Sequence, residues 1–107
     1  MIGGFIIQGS GARTVLIRAV GPTLANYGVA DALANPKLDL YSGPTVIASN
    51  DDWQSADNAT AIQATGLAPL NQLESALLLT LQPGAYTAIV SGVNSGTGVG
   101  IVEVFAQ

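Results

Sequence analysis

The sequence of 107 residues contains no cysteine and no histidine. The lack of cysteine excludes disulfides, thiolate nucleophiles and cysteine metal sites together, and it leaves the redox compartment undecided. The lack of histidine removes the usual general base, the histidine-containing nucleophilic triads and a ligand of nearly every zinc site. These absences favour a non-catalytic protein, and we predict that the chain is not an enzyme.

Charge is also scarce, since only 9% of the residues are charged, against roughly 25% in ordinary soluble domains. Contact with water then depends on Ser, Thr, Asn, Gln and Gly, as is common in extracellular and fibre-forming proteins. With a net charge of −4 and three basic residues, the chain has no electrostatic footprint for nucleic acid or an anionic membrane. We predict an extracellular or cell-surface location and no nucleic-acid partner.

Long apolar runs are missing as well. No run reaches the roughly 18 residues needed to span a bilayer, so we predict no membrane insertion. Residues 1–7 are apolar but lack a basic region and a cleavage site, unlike a signal peptide. If the protein is secreted, we expect its export signal to lie outside this sequence.

Short alternating runs between Gly, Pro and Asn turns predict an all-β fold. The organising run follows Pro83 and Gly84, and its residues 86–91 alternate between two faces, as in a central strand. We expect one domain over residues 1–107, an antiparallel β-sandwich that is immunoglobulin-like or jelly-roll-like, with successive hairpins and one or two short helical turns in crossovers. The seven predicted strands are residues 5–8, 13–20, 37–41, 45–49, 76–81, 86–91 and 99–105.

Three motifs together resemble the bacterial pre-peptidase C-terminal domain in order and spacing: residues 38–52, 74–77 and 83–92. That family is a secreted β-sandwich appended to exported enzymes. The front segment, residues 4–24, resembles still more closely an uncharacterised repeat of large secreted bacterial proteins. This second resemblance implies a non-catalytic module. It also implies a further strand ahead of residues 5–8, which the sequence does not contain. We therefore expect an open sheet edge at residues 5–8.

An acidic cluster follows the strand at residues 45–49. Calcium takes six to eight oxygen ligands, and this cluster supplies carboxylate and amide oxygens within one loop. In the pre-peptidase family the matching positions resemble a calcium-binding arrangement. The alternative is that Asn and Asp simply form turns and caps here. The candidate calcium ligands are Asn50, Asp51, Asp52, Asp57 and Glu74.

Trp53 lies beside this loop, where it could stack on a sugar, although a tryptophan at a strand end more often fills the end of a sandwich. The pair Asp52 and Glu74 could in principle hydrolyse a glycoside. The chain has one tryptophan, three tyrosines and two phenylalanines, too few for a sugar-binding cleft. We therefore do not predict glycosidase activity.

Three predicted strands, residues 5–8, 13–20 and 99–105, are apolar on both faces, whereas a strand of an isolated sandwich should be polar on one face. Either the crossover at residues 23–35 covers the excess or another copy of the chain does. Sheet edges without charge recruit strands. The candidate interface residues are Phe5, Ile6, Ile7, Ile101, Glu103 and Phe105.

These features predict a non-catalytic extracellular structural module that self-assembles into a homopolymer or fibre through apolar terminal strands. The alternative is a calcium-dependent glycan-binding module of a secreted protein, which uses the acidic loop and Trp53. Assembly would give large particles that are insensitive to a chelator, whereas a glycan-binding module would be a monomer whose sugar binding is lost with EDTA.

Overall fold

The computed structural model describes residues 1–107 as seven strands in two stacked antiparallel sheets, which confirms the predicted β-sandwich. A short helix, α1 (Ala59–Ala64), and three 3₁₀ turns, Pro22–Tyr27, Trp53–Ser55 and Val93–Ser95, lie in the connections. The strands are β1 (Ile2–Ile7), β2 (Arg13–Val20), β3 (Pro36–Ser42), β4 (Thr45–Asp51), β5 (Ser75–Leu81), β6 (Gly84–Gly92) and β7 (Ile101–Ala106).

Strand β6 is central, as its pattern predicts. The four-stranded sheet has the order β1-β6-β3-β4, and the three-stranded sheet has the order β5-β2-β7. Tyr86, Ala88 and Val90 are buried between the sheets, while the intervening residues are more exposed. The period of two therefore reflects one face of β6 packed on the second sheet and the other turned outward.

The prediction of successive hairpins is wrong except for β3 and β4, because β1 and β2, and likewise β5 and β6, lie in different sheets. The link Gln82-Pro83 is short enough for a hairpin, but an extended step from Leu81 to Gly84 also spans roughly 10 Å, the distance between stacked sheets. Pro83 has no N–H and a fixed φ, which suits an extended crossing.

The main core lies between the two sheets and is apolar throughout. Leu38 and Leu40 of β3 and Ile17 of β2 are fully buried there. Leu33, from the crossover at residues 23–35, closes one end of this core. The inward faces of the three central strands, β2, β3 and β6, all pack in this main core.

A second, smaller core covers the outer face of the three-stranded sheet. Leu16 of β2 and Ala76 of β5 pack there against Trp53 and against Ile62 of α1, and all four are buried. Strand β2 is therefore apolar on both faces because it is buried on both. The cover comes from the connection between β4 and β5, and from neither of the two covers expected from the sequence, residues 23–35 and another copy of the chain.

Candidate functional site

The acidic loop begins at the end of β4 and turns sharply at Asp52, whose φ of 71° lies in the left-handed region. Ser55 holds the turn, since its hydroxyl donates to the carbonyl oxygens of Asp51 and Asp52 at 3.0 and 2.7 Å. Burial and the neighbouring carboxylate of Asp52 raise the pKa of Asp51 above its ordinary value, while Lys37 partly offsets this rise. The loop is built mainly by local contacts of its own residues.

Glu74 is fully buried and its carboxylate is occupied by donors of the protein. Its Oε2 accepts from the backbone N–H groups of Gly21 and Thr23 at 2.9 and 3.0 Å, and its Oε1 accepts from the Thr23 hydroxyl at 2.7 Å and the Asn71 N–H at 3.1 Å. A buried carboxylate needs such donors to offset its desolvation. Glu74 therefore fastens the end of β2 to the loop before β5.

The structure does not assemble the predicted calcium shell. No three acidic side chains lie together in a group that could hold a metal ion. Glu74 faces the Gly21 turn, and Asn50 uses its side-chain oxygen to accept from the Ala76 N–H at 3.0 Å, while Asp57 is exposed. Of the five predicted ligands, Asn50, Asp51, Asp52, Asp57 and Glu74, only Asn50 and Glu74 accept backbone N–H groups at strand ends, as the alternative interpretation held. One carboxylate oxygen of Asp52 is buried without a hydrogen-bond partner.

Trp53 is 7% exposed and belongs to the second core, so it has no free ring face for a sugar. The stacking interpretation is wrong. The alternative is right that Trp53 is a buried packing residue, but it lies on the outer face of the three-stranded sheet and not at the end of the sandwich. The buried Glu74 is likewise no partner for Asp52 in hydrolysis. Asn58 precedes α1 without capping it by its side chain, and it donates instead to the Leu78 carbonyl at 2.9 Å.

The four edge strands fall into two pairs. Strands β4 and β5 lie together on what we call the closed side, where the Asn50 side chain bonds to the β5 backbone. Strands β1 and β7 lie together on what we call the open side, where a Cβ on Gly3 would come 2.8 Å from the Val102 side chain. The two sides differ in how their edges are protected.

On the closed side, hydrogen bonds from neighbouring segments cover the first half of the β5 edge. The carbonyl of Glu74 accepts from Trp53, the N–H of Ala76 donates to Asn50, and the carbonyl of Leu78 accepts from Asn58. Strand β4 carries a bulge where the register with β3 shifts between Leu40 and Tyr41. Bulges and covered groups are the devices that stop an edge from pairing with another chain.

On the open side, β1 has no such device. Met1 exchanges both backbone hydrogen bonds with Val90, at 2.8 and 3.0 Å. Because bonded pairs alternate along an antiparallel ladder, the N–H and C=O groups of Ile2, Gly4 and Ile6 point away from β6 into solvent. The side chains of Ile2 and Ile6 are 71% and 67% exposed, and β1 contains no charged residue.

Strand β7 is the other edge of the open side. Gln107 donates to the Thr14 carbonyl at 2.9 Å, so by the same alternation the backbone groups of Val102 and Val104 point outward. Val104 is 40% exposed. Between β1 and β7 lies a shallow groove of about 300 Å³ whose lining includes Ile6, Arg13 and Ala106.

The predicted interface residues divide between this edge and the interior. Ile6 and Ile101 are exposed, whereas Ile7 is 9% exposed and belongs to the main core, so its place in the interface is corrected. Phe5 is half-buried and stacks on Tyr86 with ring centroids 5.6 Å apart.

The other two predicted interface residues of β7, Glu103 and Phe105, contact Arg18. Glu103 accepts from the Arg18 guanidinium at 2.9 Å, and Phe105 lies under the same guanidinium at 4.9 Å. Their contacts are thus made within the chain. The prediction missed Ile2, although its spacing of four from Ile6 places both on one face of a strand.

Comparisons with family models, curated proteins and solved structures gave no match to this chain. The resemblances of the sequence therefore remain expectations. None of the helices has the length and apolar character needed to cross a membrane.

Proposed function

We propose that this chain is a non-catalytic structural module of the extracellular space or cell surface that assembles with copies of itself into a homopolymer or fibre. The observation that carries the proposal is the open edge of β1, where unpaired backbone groups and two exposed isoleucines stand together without charge. An edge of this kind is a template for another strand.

The contrast with the other edges supports this proposal. The chain protects β4 with a bulge and β5 with side-chain and loop contacts, so it does not leave edges open everywhere. Exposed isoleucine side chains gain free energy from burial against a partner. The low charge content also reduces repulsion between copies in a closely packed assembly.

No observation favours the alternative, a calcium-dependent glycan-binding module. Its aromatic residue, Trp53, is buried, and Glu74 and Asn50 accept hydrogen bonds from backbone N–H groups. Calcium and glycan are therefore not carried forward as partners.

The test is the particle size of the purified chain over a wide range of concentrations, measured by light scattering and electron microscopy with and without EDTA. The proposal expects large particles that persist in EDTA. A chain that stays monomeric at the highest concentrations would contradict self-assembly, and calcium-dependent binding to a glycan array would revive the alternative.

A further inference from the structure

Four features of β1 bear on how two copies meet. Its outward backbone groups belong to Ile2, Gly4 and Ile6, which lie at alternate positions centred on Gly4. The side chains of these residues share the outer face of the sheet. The strand has neither a charge nor a bulge. Read in either direction, the edge presents isoleucine, glycine and isoleucine.

An edge that reads the same in both directions is complementary to itself when the second strand runs antiparallel. We infer that two copies of this chain pair through β1 about a two-fold axis at Gly4, so that the four-stranded sheets of both copies join into one continuous sheet. Gly4 then lies opposite Gly4 of the second copy, and Ile2 of each copy lies opposite Ile6 of the other. The inference rests on the proposed function and specifies its contact.

Hydrogen bonding favours this register. The N–H and C=O groups of Ile2, Gly4 and Ile6 all point to the same edge, so each opposed pair exchanges two backbone bonds. The four isoleucine side chains of the two copies form one apolar row on the outer face. Opposed apolar pairs stabilise a sheet.

The distribution of charge is compatible with a second copy as the occupant. Each chain carries a net charge of −4, so two copies repel unless they meet where acidic residues are absent. Four of the seven acidic residues belong to the β3–β4 hairpin and the loop after it, on the closed side: Asp39, Asp51, Asp52 and Asp57. The β1 edge lies at the opposite end of that sheet.

The pairing has a consequence for assembly. A two-fold contact uses the same edge of both copies and is therefore closed. It produces a pair, and growth of a fibre from such pairs has to use another surface.

Single cysteines test the register cleanly because the chain has none of its own. Opposed Cα atoms in a bonded antiparallel pair are about 5.5 Å apart, within the range of a disulfide, so Gly4→Cys should yield a disulfide-linked dimer on mild oxidation. A Cβ at Gly4 meets only the Tyr86 carbonyl at 3.8 Å, an ordinary contact. The substitution is therefore compatible with the fold.

The matched control is Ile2→Cys, which is more exposed but lies roughly 14 Å from its own counterpart in this register. It should not cross-link, and neither should Ile47→Cys on the bulged β4. Ile6→Lys, at an exposed position, should abolish the dimer in light scattering while leaving the circular dichroism spectrum of the folded monomer unchanged. The corresponding control is Ile47→Lys, which should leave the dimer intact.

The outcomes separate the two proposals. A parent chain that assembles while Gly4→Cys fails to cross-link, or while Ile2→Cys cross-links equally well, overturns the β1 register and leaves self-assembly standing. A parent chain that is monomeric at all concentrations, with no cross-linking of Gly4→Cys, overturns both. Cross-linking of Gly4→Cys alone, together with loss of the dimer in Ile6→Lys, supports the β1 register. Large particles of the parent chain are needed in addition to support the homopolymer or fibre, and a parent chain that stops at the dimer overturns it.

Discussion

The closed and open sides of this sandwich are built from strands of similar length, yet their edges are protected to different extents. On the closed side, polar side chains bridge from one segment to the next. Asn50 and Glu74 are buried and Asn58 is exposed, and each bonds to a backbone group. On the open side, β1 has only apolar residues and glycine, and the one charged residue of β7, Glu103, pairs with Arg18 of β2. The difference shows that an edge is protected by polar residues in adjacent loops, and that a strand without such loops keeps its pairing capacity.

The largest loss of stability is expected from substitution of Glu74, which links the end of β2 to the loop before β5 on the closed side. Glu74→Ala removes the acceptor of the Gly21, Thr23 and Asn71 N–H groups. A buried donor left without a partner costs roughly 1–3 kcal/mol, so the free energy of unfolding should fall by about 3 kcal/mol or more. Urea denaturation of the chain measures this change.

The matched control is Glu103→Ala, which also removes one carboxylate. Glu103 is bonded only to Arg18 and its side chain is 36% exposed, so the loss should be below about 1 kcal/mol. Equal losses for the two variants would show that Glu74 does not fasten the closed side.

A smaller but sharper contrast lies within β1. Ile7 is 9% exposed in the main core and Ile6 is 67% exposed at the edge. Ile7→Lys should lower the free energy of unfolding by roughly 2–5 kcal/mol, since it removes a buried side chain and brings a charge to the core. Ile6→Lys should change it by less than about 0.5 kcal/mol.

Chemical denaturation under conditions where both variants are monomeric separates these effects from assembly. If Ile6→Lys were the more destabilising of the two, the assignment of the faces of β1 would be reversed. Ile2 and Ile6 would then face the core, and the open edge would have no exposed isoleucine side chains.

The smallest expected effect is the change of stability with pH that comes from the titration of Asp51 in the acidic loop. The pKa of Asp51 is raised above 3.8 in the folded chain, so the folded state holds this proton more tightly than the unfolded state. The free energy of unfolding therefore falls as the pH rises through the window between the unfolded and folded pKa values. Asp51→Asn should remove this loss and slightly raise the melting temperature at neutral pH, with no gain below the unfolded pKa.

Lys37→Met is the companion variant, because Lys37 lowers the pKa of Asp51. Without Lys37 the pKa of Asp51 should rise further, so the free energy of unfolding should fall more as the pH rises. Melting temperatures of the three chains across the acidic range check both signs, and an Asp51→Asn chain that is less stable than the parent at neutral pH would contradict the assignment.

The sequence predicted six of the seven strands to within two residues at each end, because alternation and Gly or Pro breaks are local signals. It placed the first strand at residues 5–8, whereas β1 begins at Ile2, because Gly3 and Gly4 obscure the alternation there. It did not predict which strands pair, because the link Gln82-Pro83 is long enough for both a hairpin and a crossing between sheets. It also did not predict which face of β1 is buried, because Phe5, Ile6 and Ile7 are all apolar and either face could turn inward.

The acidic loop was misread for a related reason. Asp and Glu look alike as oxygen ligands in a sequence, and the partners of Glu74 include Gly21 and Thr23, more than fifty positions away. Nothing local indicates that backbone N–H groups will occupy that carboxylate. Trp53 was interpreted correctly because large aromatic residues usually fill the interior.

The strand order also governs how the chain reaches its fold. Only β3 and β4, joined at Gly43, pair with a neighbour in sequence, whereas Ile2 of β1 must find Ile89 of β6. A topology dominated by such distant contacts folds slowly, because loop closure precedes the gain from pairing. During synthesis, β1 stays without its native partner until β6 has emerged, so the lifetime of that unpaired strand, rather than the stability of the finished sandwich, should set the yield of folded protein.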